Sequence, residues 1–233
     1  MSVPLNYFLS KYNYEAKKGQ NSTILMILNE NMLIEKGFLL ILSCLRSGTE
    51  MIYVMASKED LVEKYKMISD ISSSILSFNE KILKKITCCV LLLGNENNNE
   101  TEINTIKLIL KYLNEKNLPC LISYDFYHYQ FSKELPIKNL LTYNFQNQEN
   151  TINIKFNKNK NVIKTPAFSY KNTNCIFLGI LSTAISLNHY INEESINWAY
   201  DVAHKAELIC KRKEDCAINK ENLQKFIIEA LYK

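Results

Sequence analysis

The chain has 233 residues, 47% of them apolar and 22% charged, and carries a net charge of +4. That is enough apolar material for one sizeable core, so a single domain over 1–233 is expected, with 1–16 as an N-terminal extension. Lysines alternate with acids instead of forming a stripe, and no apolar run reaches membrane-spanning length, so neither nucleic acid nor a membrane is an expected partner.

Short β-rich apolar runs alternate with segments of helical period, the pattern of a parallel sheet wrapped by helices. Ile24 to Leu28 reads as the first strand, Met32 to Arg46 as a helix and Met51 to Met55 as the second strand. Ser57 with Asp60 resembles a capping box that opens a helix running to about Met67. Val90 to Leu93 is a fully apolar third strand, and Glu102 to Asn114 places Ile103, Ile106, Leu110 and Leu113 on one helical face. Leu121 to Tyr124, after the breaker Pro119, is the fourth strand. Beyond Tyr127 the pattern weakens. Ile152, Ile154 and Phe156 alternate with polar residues and Val162 to Thr165 answers them across a Lys/Asn tract, which predicts an antiparallel hairpin. Three helices close the chain: Ile176 to Leu187, Glu193 to Lys211 and Asn219 to Tyr232. The middle one sets Ile196, Ala199, Ala203 and Cys210 on a common packing face.

Seven cysteines are scattered through apolar segments, with no pair of C-x-x-C units. That pattern argues against a zinc site and for a reducing compartment. No basic segment followed by an apolar stretch opens the chain as an export signal would, so the cytoplasm is expected. The three histidines lie far apart and read as surface or packing residues, and no metal site is expected.

The segment Lys171-Asn172-Thr173-Asn174-Cys175, followed at once by the apolar run Ile176 to Ile185, has the shape of a phosphate-binding turn feeding a helix N-terminus. In enzymes that phosphorylate a hydroxyl, such a turn offers backbone N–H groups and a positive helix end to phosphate, and an adjacent carboxylate takes the hydroxyl proton. Here the glycines and the acid are missing.

A set of segments in fixed order carries a family resemblance. Lys18-Gly19-Gln20-Asn21 before the first strand, Leu45-Arg46-Ser47-Gly48 ending the next helix, and Tyr53-Val54 resemble K-G-Q-N-G, L-R-x-G-A and V-Y-V. Leu93 to Asn97 stands for G-P-G-L-G, Ile122 to Asp125 for I-D-A-D, and Ile154-Lys155 for L-K-G. Val162 to Pro166 resembles V-I-A-T-P, Lys171 to Cys175 falls on G-G-T-G-D, and His204-Lys205-Ala206 resembles the start of H-G-L-A-G-D. In this order they are similar to the NAD(P)H-hydrate dehydratase family of the ribokinase-like superfamily. The T-P-H-x-G-E segment of that family is expected to be deleted, because Tyr127 to Asn150 is too short for it.

The resemblance implies a three-layer α/β/α sandwich with a mostly parallel central sheet. Family members use ADP or ATP to phosphorylate the hydroxyl of a hydrated nicotinamide, after which loss of phosphate restores NAD(P)H. On this chain the base position is Cys175, in place of the family's Asp. The nucleotide side is expected at Gly94, Asn95, Lys155, Asn172, Thr173 and Asn174, and the substrate side at Asn29, Asn31 and Asp125. Most phosphate-facing glycines have become Asn, Glu or Lys, and Asn at 172 and 174 is expected to keep part of the turn through its tolerance of left-handed backbone. The resulting expectation is a degenerate, non-catalytic family member with a binding or scaffolding role. It requires no cofactor and retains ATP or ADP with Mg only as a residual ligand; its other partners are a second copy of the chain or an unidentified protein. The alternatives are a divergent but active ATP- or ADP-dependent dehydratase and a kinase acting on another small alcohol.

Overall fold

The computed structural model describes residues 22–28, 34–56, 71–74, 78–92, 100–123, 137–146, 151–156, 161–170, 172–213, 226–227 and 229–231. Eight strands form one sheet: β1 (Thr23–Leu28), β2 (Met51–Ala56), β3 (Ile71–Ser74), β4 (Cys88–Leu92), β5 (Cys120–Ser123), β6 (Leu140–Gln146), β7 (Thr151–Phe156) and β8 (Asn161–Pro166). Helices accompany them: α1 (Ile34–Ser47), the single turn α2 (Glu80–Leu83), α3 (Glu100–Lys116), α4 (Thr173–Asn188) and α5 (Glu193–Arg212), with the described residues 226–227 and 229–231 also helical.

The strand order is β3-β2-β1-β4-β5-β6-β7-β8. β3 through β6 are parallel to one another, and β7 and β8 each join antiparallel to the preceding strand. β1 and β4 are buried along their whole length, as continuous apolar runs covered on both faces must be. Alternate residues divide between two cores. Ile24, Met26 and Leu28 pack under α1, α4 and α5, whereas Leu25 and Ile27 pack with Ile106, Leu110 and Leu113 of α3. The result is the expected α/β/α sandwich, with the predicted hairpin at its antiparallel end.

α1 and α4 approach closely because Gly179 has no side chain: a Cβ there would sit 2.5 Å from Ser43 Cβ and 2.7 Å from the Leu40 carbonyl oxygen. Gly48 ends α1 at φ 111°, a left-handed conformation that glycine adopts without strain, and Thr49 N–H closes the turn on the Cys44 carbonyl. The terminal glycine of the Leu45-Arg46-Ser47-Gly48 motif therefore has a structural role.

Two strands were not anticipated from the sequence. β3 reads Ile-Ser-Ser-Ser and offers one apolar residue, while β6 lies in the stretch after Tyr127 where periodicity fades. β6 pairs with β5 directly through Cys120↔Leu140 to Ser123↔Tyr143. The helix expected from Ser57, the Lys/Asn tract, the N-terminal extension and most of the helix expected over 219–232 lie outside the described residues. No helix among the described residues is long and apolar enough to cross a membrane.

Candidate functional site

Strand order changes direction at β1, between β2 on one side and β4 on the other. In open parallel sheets ligands bind outside the carboxyl ends of strands at such a switch point. α4 is aligned with this edge by a ladder of hydroxyls at its far end: Ser22 Oγ donates to Ser186 Oγ at 2.8 Å, Thr87 Oγ1 bonds the same atom, and the Thr49 and Thr183 hydroxyls meet at 2.8 Å. Ser22 precedes β1 and Thr87 precedes β4, so the C-terminal end of α4 lies at the amino edge of the sheet. Its N-terminus consequently faces the carboxyl edge.

Four of the expected site residues meet in that first turn. Asn172 caps α4 with φ −69° and ψ −24°, and its side chain makes no capping hydrogen bond. The backbone is right-handed here, and Asn117 and His189 are the described non-glycine residues with positive φ. The left-handed geometry expected of Asn172 and Asn174 is thus absent, because Thr173 N–H bonds the Tyr170 carbonyl at 3.0 Å and Cys175 N–H bonds the Asn172 carbonyl at 3.1 Å, tightening the entry into an ordinary first turn. Thr173 is 0% exposed, and among the described residues neither its Oγ1 nor the buried Asn174 Oδ1 has a hydrogen-bond partner. Cys175 is buried, and the first turn of α4 contains no acid.

Lys155 stands elsewhere. It alternates with Ile154 and Phe156, which enter the core beneath α4 and α5, so its side chain leaves from the opposite sheet face, beside its cross-strand partners Thr142 and Val162. Gly94, Asn95, Asn29, Asn31 and Asp125 lie outside the described residues, as does Lys171.

Two residues near the turn escaped the sequence reading. Tyr143 of β6 neighbours Cys175; burial, and secondarily that thiol, push its phenol well above the usual tyrosine range. Glu207 of α5 is 1% exposed, and its Oε1 accepts the Tyr170 N–H at 2.8 Å. Its signal was present in the sequence: it falls four residues after Ala203 on the apolar stripe of α5, where an acid has no place unless it is paired. No group of three or more His, Cys, Asp or Glu arranged to hold a metal occurs among the described residues.

No family model and no curated protein matches the chain. Solved structures do. The chain is similar to a hypothetical protein of Streptococcus mutans (TM-score 0.59, 10% identity, 99% of this chain and 98% of that one). It is similar to a Bacillus subtilis ADP/ATP-dependent NAD(P)H-hydrate dehydratase co-crystallized with ATP/Mg2+ (0.59, 11%, 93% and 91%). A ribokinase-like superfamily protein of Enterococcus faecalis also matches (0.54, 9%, 89% and 87%). With so few identical residues it is the backbone path that is shared, and the chain has the ribokinase-like fold, the fold on which an NAD(P)H-hydrate dehydratase is built.

Proposed function

We propose that the chain is an NAD(P)H-hydrate dehydratase-like protein that has lost catalysis and acts by binding, with the first turn of α4 as a weak site for ATP or ADP with Mg. One observation carries this reading: the position that the motif order assigns to the general base is the buried Cys175, and no carboxylate replaces it in that turn. Removing a positioned general base costs about 10² to 10⁴ in rate.

Residual anion binding is supported by the same turn. Helix N-terminal amides carry partial positive charge. Beside them Thr173 Oγ1 and Asn174 Oδ1 are buried polar atoms with no partner among the described residues, an arrangement that costs about 1–3 kcal/mol per atom unless a ligand or water satisfies it. The choice of adenine nucleotide rests on the B. subtilis protein of the same fold, which was crystallized with ATP/Mg2+. Within this proposal the resemblance assigns Gly94 and Asn95 to the nucleotide side and Asn29, Asn31 and Asp125 to the substrate side, while Lys155, on the opposite sheet face, is left out of the site. A reducing, cytoplasmic setting belongs to it too, in keeping with six described cysteines that are all buried thiols.

The test is a pair of measurements on the purified chain. Titration with ATP and Mg should raise the melting temperature, while hydrated NADH with ATP or ADP should not regain the absorbance of NADH. Turnover would overturn the loss of catalysis, and a melting temperature indifferent to nucleotide would overturn the binding site.

A further inference from the structure

One face of α5 grips the segment that leads from β8 into α4. Tyr200 Oη donates to the Pro166 carbonyl at 3.1 Å, Lys211 Nζ donates to Ser169 Oγ at 2.7 Å, and Glu207 Oε1 accepts the Tyr170 N–H at 2.8 Å. Residues 200, 204, 207 and 211 recur at helical spacing, so these contacts form one stripe. Tyr200 also stacks on Phe168 with ring centroids 5.0 Å apart, and His204 stacks on Tyr200 at 6.0 Å. Phe168 in turn packs against Phe177 of α4 at 5.8 Å.

Among these contacts Glu207 differs in kind. Tyr200 and Lys211 make partly exposed bonds at the rim, but the Glu207 carboxylate is buried, and its partner is a backbone amide. Its second oxygen lies 3.8 Å from Nδ1 of His204, whose side chain is 46% exposed. The amide it holds belongs to the residue whose carbonyl accepts the Thr173 N–H, the bond that fixes the start of α4. An acceptor on the Tyr170 N–H therefore orients the residue whose carbonyl starts the α4 turn.

We infer that Glu207 is a positioning residue: its carboxylate holds the Tyr170 peptide and through it sets the geometry of the α4 N-terminus. The inference deepens the nucleotide reading above, yet the brace can be tested without that reading. Hydrogen exchange at the Tyr170 amide in the full chain reads it directly. Glu207→Ala removes the acceptor and should accelerate exchange at Tyr170 and Thr173 by roughly tenfold to a hundredfold, the worth of a hydrogen bond to a charged group. Amides in β1 and β4 should stay as slow as in the parent. Glu207→Gln keeps an oxygen in place and should restore most of the protection, which a simple packing role does not predict. If the parent chain binds ATP with Mg, the Ala variant should bind it at least several-fold more weakly and the Gln variant nearly as well. Unchanged Tyr170 exchange in the Ala variant, or acceleration spread evenly over the whole chain, would overturn the inference. A parent chain that ignores nucleotide would overturn only the nucleotide reading, leaving the exchange result to decide the brace.

Discussion

Gly179→Ala probes the close approach of α1 and α4. The added methyl would lie 2.5 Å from Ser43 Cβ, 2.7 Å from the Leu40 carbonyl oxygen and 3.2 Å from Cys44 N. Two of these three atoms are α1 backbone, which cannot rotate away as a flexible side chain could. Relief requires the helices to separate, which stretches the Cys44 Sγ bond to the Gly179 carbonyl (3.2 Å) and the Thr183 Oγ1 bond to the Cys44 carbonyl (3.2 Å). Overpacking of this kind costs about 1–3 kcal/mol. The shortness of the contacts places the cost toward the upper end, while alanine returns about 1 kcal/mol of helix propensity. The net expectation is about 2 kcal/mol of destabilisation, or a melting temperature lower by about 4–8 °C for a chain of this size. Urea unfolding followed by the fluorescence of the buried Trp198 would measure it. Ser43→Gly should be less harmful when combined with Gly179→Ala than when made alone, because it removes the atom met at the shortest distance. A Gly179→Ala variant as stable as the parent or more so would show that helix propensity outweighs the contact.

Other outcomes follow from buried groups. Burial raises the thiols of Cys44, Cys88 and Cys89 above their ordinary value of 9.0. Above that pH the unfolded chain releases protons that the folded chain keeps, so stability is complete below about pH 9 and falls as pH rises, by about 1.4 kcal/mol per unit for each thiol. Urea midpoints that stay constant from about pH 8.5 to 10.5 would contradict this. Thr142 is 1% exposed and its Oγ1 has no partner among the described residues. Thr142→Val should raise stability by about 1 kcal/mol, read as a higher melting temperature with nucleotide binding unchanged. Thr173→Val removes a similar orphaned hydroxyl and should leave the melting temperature level or higher. It should also weaken ATP·Mg binding by about fivefold, a split that a purely structural Thr173 would not give.

What could be read in the sequence was decided by where the physical signal lay. β1 and β4 announce themselves because a strand buried on both faces must be apolar throughout, and the β7–β8 hairpin shows because Ile152, Ile154 and Phe156 alternate with polar residues. The stripes of α3 and α5 are visible for the same reason: Ile106, Leu110 and Leu113, like Ile196, Ala199, Ala203 and Cys210, all proved buried. β3 has one apolar residue, so a strand that pairs with β2 leaves little pattern in the sequence. β6 has the right alternation in Leu141 and Tyr143, but it is too short a signal to stand out from its surroundings.

At the site, the ordered motifs located the α4 turn and Cys175, since those residues are contiguous. Tyr143 and Glu207 were not recognised because each reaches the turn through tertiary contact, Glu207 across 37 positions of chain. At Asn172 the backbone is right-handed, not left-handed as its residue type permits. A residue's tolerance of left-handed geometry does not impose it, and the hydrogen bonds of the first turn decide.

The chain has the ribokinase-like fold and no acid in the first turn of α4, and the proposed function ties the loss of catalysis to that missing acid. A single-turnover experiment tests it most directly, with the chain in molar excess over hydrated NADH and with ATP and Mg saturating. NADH should form no faster than in the same mixture without protein. Appearance of one equivalent of NADH at a rate set by the protein would contradict it.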